Sequence, residues 1–194
     1  MRTNGERPNE EKIGNLAKHG IFIAVIAMLT LFASIPLPAG SGGAYLNAGD
    51  AAIYVASYVL GPVGGMITAA IGSAAADMLH GSMIYAPATF IIKGLMGLCA
   101  GFLYKRIRHG APLAAGMIMP AGYFAFEFVL FRESALFGLW TNAIQYAFGV
   151  LASTVLIMAL ERARAVTPWW ERKNAASYKT CDTDDENNGK EAQG

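Results

Sequence analysis

Four ionisable side chains interrupt stretches of the chain that are otherwise apolar. They are Asp50, Asp77, Lys93 and Glu127. A charged side chain at the centre of a membrane helix costs about 2.5–3.5 kcal/mol on insertion scales, so each one needs a partner or a watery cavity. Two interpretations follow. Either Asp50 and Asp77 face the water at the headgroups and Lys93 pairs with one of them to lock the bundle, or the four groups together line a pocket that binds a small polar ligand.

Neutral polar and aromatic residues accompany these charges. Hydrogen-bonding groups reject analogues of a ligand more strongly than apolar walls do, and aromatic rings either stack on a flat ligand or only pack. A pocket with three carboxylates and one lysine suits a neutral or weakly cationic ring better than a dianion. The further candidate binding residues are Asn47, Tyr85, Trp140, Asn142 and Gln145, with Tyr54 and Tyr58 as additional rings.

The composition places these residues in a membrane protein. Of 194 residues, 54% are hydrophobic and only 15% are charged, whereas soluble domains carry roughly 25% charged residues. The charges cluster at 1–18, at 105–109 and after 161. The net charge of +1 gives no reason to expect a nucleic-acid partner. Cys99 lies in an apolar segment and Cys181 in a polar one, so no disulfide, metal site or cofactor is predicted.

The apolar stretches predict an all-α integral membrane protein with six transmembrane helices, because a span needs about 20 apolar residues. Residues 51–79 are too long for one span, and Gly61-Pro62 divides them. This membrane domain covers 15–162, between a cytoplasmic N-terminal segment at 1–14 and a polar, disordered tail at 163–194. The predicted helices are Leu16–Ile35, Asn47–Leu60, Pro62–Leu79, Pro87–Tyr104, Pro112–Phe131 and Gly138–Leu160.

The distribution of Lys and Arg orients this domain. These residues concentrate before the first helix, between the fourth and fifth helices, and after the sixth, with Arg132 as the exception. Because positive residues mark the cytoplasmic side, both termini are predicted to be cytoplasmic. With this topology the four buried charges and the polar residues of the sixth helix fall in the outer half of the bilayer. The sequence therefore predicts a polar pocket that opens outward.

Several segments resemble the substrate-binding S components of energy-coupling factor (ECF) vitamin transporters. The resemblance is to the riboflavin-type group, which includes candidate hydroxymethylpyrimidine and pyridoxine carriers. Its specific part covers 45–104, and the six-helix layout extends it to Leu160. The segments that carry it are Tyr45–Asp50, Leu60–Gly65, Ile71–Asp77 and Tyr85–Gly97.

The resemblance implies a multi-pass protein in the plasma membrane of a prokaryote that binds a vitamin or vitamin precursor from outside. It further implies association with a membrane coupling (T) subunit and two cytoplasmic ATPase subunits, and toppling in the membrane to release substrate inward. In the family the first helix usually presents an Ala-xxx-Ala face to the coupling subunit. This chain has Gly20, Ala24 and Ala27 there, which leaves the docking residues open. No Gly-x-x-x-x-Gly-Lys-Ser/Thr motif occurs, so partners must supply the energy.

Other classes of protein fit less of the sequence. An intramembrane aspartate protease needs Gly-x-Gly-Asp, and Ala48-Gly49-Asp50 matches only the last two positions. Since neither His-Glu-x-x-His nor Gly-x-Ser-x-Gly occurs either, no enzyme is predicted. A stand-alone carrier or channel is the alternative, although the two related halves typical of such transporters are not visible. An assembly protein without a ligand is the third class.

Overall fold

The protein is a bundle of apolar helices with one short pair of strands. The computed structural model describes residues 7–36, 45–132 and 135–172. Within them, β1 (Ser34–Pro36) pairs antiparallel with β2 (Tyr45–Asn47) in the connection after the first helix. Apart from this short strand pair, the regular elements of the described residues are helical, as predicted. The helices are α1 (Arg7–Phe32), α2 (Gly49–Leu79), α3 (Ala86–Tyr104), α4 (Ala111–Gly116), α5 (Ile118–Phe131) and α6 (Ala135–Arg162), with a 3-10 turn at Arg108–Gly110.

Helix α2 is two helices joined at a sharp reversal. Gly61 has φ 85° and ψ −174°, and Pro62 follows it. A Cβ built on Gly65 would lie 2.8 Å from the Cα of Ser57, although eight residues of straight helix span about 12 Å. The chain therefore folds back at Gly61, as predicted from Gly61-Pro62. The part of α2 before Gly61 is here called the first arm, and the part after it the second arm.

Glycines bring the second arm and α3 into close contact. A Cβ on Gly97 would lie 2.6 Å from the Gly65 carbonyl oxygen, and one on Gly101 would lie 2.6 Å from the Pro62 nitrogen. Small residues let helix backbones approach closely in membranes. Position 97 faces position 65 and position 101 faces position 62, so α3 runs antiparallel to the second arm.

Among the residues that the structure describes, five helical stretches are long and apolar enough to cross a membrane. One of them contains the reversal at Gly61, and another combines α4 with α5. The helix predicted at Pro112–Phe131 is therefore not continuous. It is divided at Met117 into α4 and α5, because Pro120 has no N–H to donate to the preceding turn. The stretches are Lys12–Phe32, Gly49–Leu79, Ala86–Tyr104, Arg108–Leu130 and Gly138–Arg162.

The end of the chain that the structure describes lies beyond the predicted membrane domain. Pro168 is buried, and Trp170 packs on the hydrophobic core. Ordered structure therefore continues past residue 162, where the tail was predicted to begin. The remainder of that predicted tail, 173–194, and part of the N-terminal segment, 1–6, lie outside the described residues.

Candidate functional site

A buried ion pair joins α2 to α3. Lys93 Nζ lies 2.5 Å from Asp50 Oδ1, and Gln145 Nε2 donates to Asp50 Oδ2 across 3.2 Å. The three residues are only 5%, 3% and 9% exposed respectively. Both carboxylate oxygens of Asp50 are therefore occupied by protein groups. A buried charge needs such partners, because burial of an unpaired charge costs its full desolvation free energy.

The local sequence explains how these three side chains meet. Asp50 lies in the first turn of α2, where the helix dipole stabilises a negative charge. Lys93 lies two turns into α3, and Gln145 lies on α6. Gly149, one turn after Gln145, faces Asp50, since a Cβ on it would lie 3.0 Å from the Asp50 Cβ. The missing side chain at 149 lets α6 approach the first arm closely enough for Gln145 to reach the carboxylate.

A second polar group adjoins the lysine. Lys93 Nζ lies 5.7 Å from the centroid of the Tyr123 ring, and the Tyr123 hydroxyl lies 2.8 Å from Thr89 Oγ1. Thr89 also contacts the carboxylate of Asp77, which is near enough to Lys93 to interact with its charge. Asp77 is half-buried. Its carboxylate therefore lies beside the ion pair without being saturated by it.

Glu127 on α5 forms a third group with Tyr85. The Tyr85 hydroxyl is hydrogen-bonded to the Glu127 carboxylate; burial, followed by that nearby negative charge, raises the pKa of Tyr85 and keeps the phenol protonated. Glu127 Oε2 is buried, and no donor among the described residues reaches it. It points at Gly138 of α6, where a Cβ would collide with it. A buried acceptor without a donor is costly, so this oxygen is suited to a donor that comes from outside the chain.

The remaining predicted binding residues do not all join these groups. Trp140 is 67% exposed and lies on the outer surface of α6, away from the buried charges. Asn142 is half-buried. Asn47 lies in β2 opposite Ser34, and its side chain lies outside the described residues.

The two additional tyrosines are engaged by contacts within the protein. Tyr54 is buried in the core, where its hydroxyl contacts Met96 Sδ at 3.6 Å. Tyr58 lies at the other end of the first arm and donates to Glu161. Both rings are buried against protein groups, so their stacking on a ligand stays a prediction.

The candidate docking residues lie on an open face of α1. Gly20 and Ala24 are exposed and Ala27 is partly buried. A Cβ on Gly20 would meet nothing within 4 Å. Within the described ranges no three His, Cys, Asp or Glu side chains come together as a metal ion would require.

Sequence reasoning missed Thr89, Tyr123, Gly138 and Gly149. The two glycines have no chemistry of their own and matter only because a carboxylate occupies the space beside each. The two hydroxyl residues were detectable in principle, since Thr89 lies one helical turn before Lys93. Their meeting across α3 and α5 depends on the helix packing.

A family model matches most of the chain. The model for the S component of ECF-type riboflavin transporters matches residues 11–162. An uncharacterised protein from the gap 3′ region of Pyrococcus woesei is 32% identical over 133 residues, which are 65% of this chain and 87% of that protein. The thiamine precursor transporter HmpT of Lactococcus lactis is 29% identical over 156 residues, which are 79% of this chain and 92% of that protein.

Two solved structures share the fold. One is the S component of a bacterial ECF transporter, with a TM-score of 0.61 and 20% identity, over 79% of this chain and 97% of the other. The second is an S component for biotin from an ECF-type ABC transporter, with a TM-score of 0.58 and 17% identity, over 87% of this chain and 97% of the other. At these identities the similarity establishes the helical fold.

Proposed function

The chain belongs to the family of S components of ECF-type riboflavin transporters, and we propose that it captures a small vitamin or vitamin precursor from outside the cell. It is a multi-pass membrane protein and a substrate-specific transport component. Its site lies among the polar groups of α2, α3, α5 and α6. The buried and donor-free Glu127 Oε2 is the observation that carries this proposal.

The three polar groups take different parts in the proposed site. Because Lys93 and Gln145 already occupy both oxygens of Asp50, these three residues form the wall that holds the helices in place. The ligand then meets Asp77, Tyr85 and Glu127. Asn47 and Asn142 are retained as further hydrogen-bonding residues.

The chemistry of those groups defines the class of ligand. Two carboxylates attract hydrogen-bond donors and repel anions, and Glu127 offers an acceptor that only a donor can satisfy. A neutral or weakly cationic ring with amino or hydroxyl groups meets this requirement. Hydroxymethylpyrimidine carries both groups, and the similarity to a thiamine precursor transporter supports it over riboflavin and pyridoxine.

Binding of a defined panel of compounds tests this function. The purified protein would be titrated calorimetrically with hydroxymethylpyrimidine, pyridoxine and riboflavin, and mass spectrometry would identify any small molecule that co-purifies. We expect tight binding of one member of the panel, with hydroxymethylpyrimidine preferred. If none of the three binds and no small molecule co-purifies, the proposal is wrong.

The transport cycle is proposed to depend on partners. S components of ECF transporters work with a T subunit and ATPase subunits, and the chain itself has no phosphate-binding motif. We place the T subunit on the open face of α1 at Gly20, Ala24 and Ala27. The chain crosses the prokaryotic plasma membrane six times with both termini cytoplasmic, if the two arms of α2 count separately.

A stand-alone carrier or channel remains the alternative function. Co-expression with a T subunit and two ATPase subunits distinguishes the two. The coupled transporter takes up substrate only when the ATPases are active, whereas a stand-alone carrier works in vesicles that contain this chain alone. No enzymatic activity is proposed.

A further inference from the structure

A second polar group lies at the opposite end of the first arm. The Tyr58 hydroxyl donates to Glu161 Oε1 across 2.6 Å. Arg108 Nε donates to the same oxygen at 3.0 Å, and an Arg108 NH2 group lies 3.1 Å from the Tyr58 hydroxyl. We call these three residues the Tyr58 cluster. It joins the first arm, the turn before α4 and the last turn of α6.

The chain folds back over this cluster after α6. Arg164 has φ 53°, and the direction of the backbone changes there. Trp169 then donates from Nε1 to the Gly101 carbonyl oxygen at 3.2 Å. Trp170 meets the Tyr58 ring edge-on, with centroids 5.4 Å apart. We call residues 166–170 the strap.

The strap packs against two glycines, Gly61 and Gly101. A Cβ on Gly61 would lie 3.2 Å from Trp169 ring atoms, so the indole packs directly on the reversal of α2. Gly61 has a positive φ that other residues rarely adopt. The same glycine therefore allows both the reversal and the contact with Trp169.

One face of the first arm carries polar side chains from the ion pair at one end to the strap at the other. Asp50, Tyr54 and Tyr58 are spaced four residues apart and so share a face of the helix. Asp50 belongs to the ion pair at one end, and Tyr58 lies under Trp170 at the other. The strap thus covers the inner end of the row of polar side chains that begins beside the proposed site.

The ion pair of the Tyr58 cluster is partly exposed. The Arg108 side chain is 44% exposed, and ion pairs in contact with water contribute little because solvent competes for both charges. The Tyr104 ring meets the Tyr58 ring edge-on, with centroids 5.2 Å apart, and the buried Tyr104 hydroxyl has no hydrogen-bond partner among the described residues. Exposure to water would satisfy that hydroxyl, which lowers the cost of opening.

We propose that the strap is a releasable cover over the inner end of the bundle, held closed by the Tyr58 cluster. It stays on Gly61 and Gly101 while Tyr58, Arg108 and Glu161 are joined, and it lifts when they separate. Opening exposes the reversal of α2 and the inner end of the polar row. This device is independent of which ligand the outer site binds.

Tryptophan fluorescence tests the cover without any ligand. The chain has three tryptophans, so Trp140→Phe leaves only Trp169 and Trp170 as reporters. In this background the variants Arg108→Ala and Glu161→Gln should raise the open population roughly threefold, as expected for loss of a partly exposed ion pair. The measured results would be a red-shifted emission and stronger quenching by acrylamide. Tyr58→Phe keeps the ring contact and should give a smaller change.

Arg162→Ala is the matched control, because Arg162 is an exposed arginine beside Glu161 in the last turn of α6. Its quenching should equal that of the parent. Circular dichroism and size-exclusion chromatography would establish that each variant is folded. Quenching in Arg108→Ala and Glu161→Gln that matches Arg162→Ala would overturn the proposal.

Hydrogen exchange provides a second measurement on the full chain and two truncations. Ending the chain after residue 164 removes the strap, whereas ending it after residue 172 keeps it. We expect faster amide exchange around Gly61 and Gly101 only in the shorter chain. Equal exchange in both truncations would mean that the strap covers nothing.

Discussion

Lys93 and Asp50 lie 2.5 Å apart in the buried contact between α3 and the first arm of α2. Each neutralises the other, and Gln145 occupies the remaining carboxylate oxygen. Of the two interpretations of the membrane charges, mutual pairing therefore describes these residues. Ligand binding remains the proposal for Asp77 and Glu127, whose carboxylates are not saturated in this way.

Breaking the ion pair on one side should destabilise the protein more than removing both charges. Asp50→Asn or Lys93→Met alone leaves an unpaired buried charge, and we expect a loss of about 3–5 kcal/mol in the free energy of unfolding. The double variant removes both charges and should recover much of that loss. Thermal unfolding in detergent measures the effect. Single variants as stable as the parent would show that the pair is not a structural lock.

Gly138→Ala should displace Glu127. The added Cβ would collide with Glu127 Oε2, and overpacking of this kind costs about 1–3 kcal/mol. We expect lower thermal stability and weaker ligand binding. Gly14→Ala is the control, because a Cβ there meets nothing within 4 Å. Combining Gly138→Ala with Glu127→Ala should restore stability but not binding; a loss of stability that persists in the pair would contradict this account.

Glu127→Gln should weaken binding of hydroxymethylpyrimidine while preserving the fold. The amide places a donor where the buried acceptor was, so a ligand donor loses its partner. Loss of a hydrogen bond to a charged group costs about 1.5–3 kcal/mol, which corresponds to roughly 10- to 150-fold in the dissociation constant. Calorimetric titration measures this change, with the exposed Trp140→Phe as the control. Equal affinities in the two variants would remove Glu127 from the site.

The sequence was sufficient for features that depend on local chemistry. Gly61-Pro62 marked the reversal of α2, because few residues other than glycine accept its φ and proline interrupts the helical ladder. The depth of Lys93 in an apolar helix predicted that it needs a partner. The sequence did not decide whether this partner is Asp50 or Asp77.

The rotation of α6 shows what the sequence could not determine. Trp140 and Gln145 are five residues apart, which places them about 140° apart around the helix. One therefore faces the bundle when the other faces outward. Because α6 is apolar on nearly all sides, no pattern indicated which side packs inward. The close contact between Glu127 and Gly138 depends on the same rotation of α6, so the sequence did not indicate it either.

Bulky substitutions on the open face of α1 should block transport without affecting capture of the ligand. Gly20→Leu and Ala24→Leu add side chains to exposed positions that are about one helical turn apart and are proposed to meet the T subunit. Since such docking needs small residues for close helix approach, we expect ATP-dependent uptake and co-purification with the T subunit to be lost. Ligand affinity of the isolated protein should remain that of the parent. Ala125→Leu, an equally exposed position on α5, is the control for added bulk, and uptake that survives in Gly20→Leu and Ala24→Leu would place the coupling surface elsewhere on the bundle.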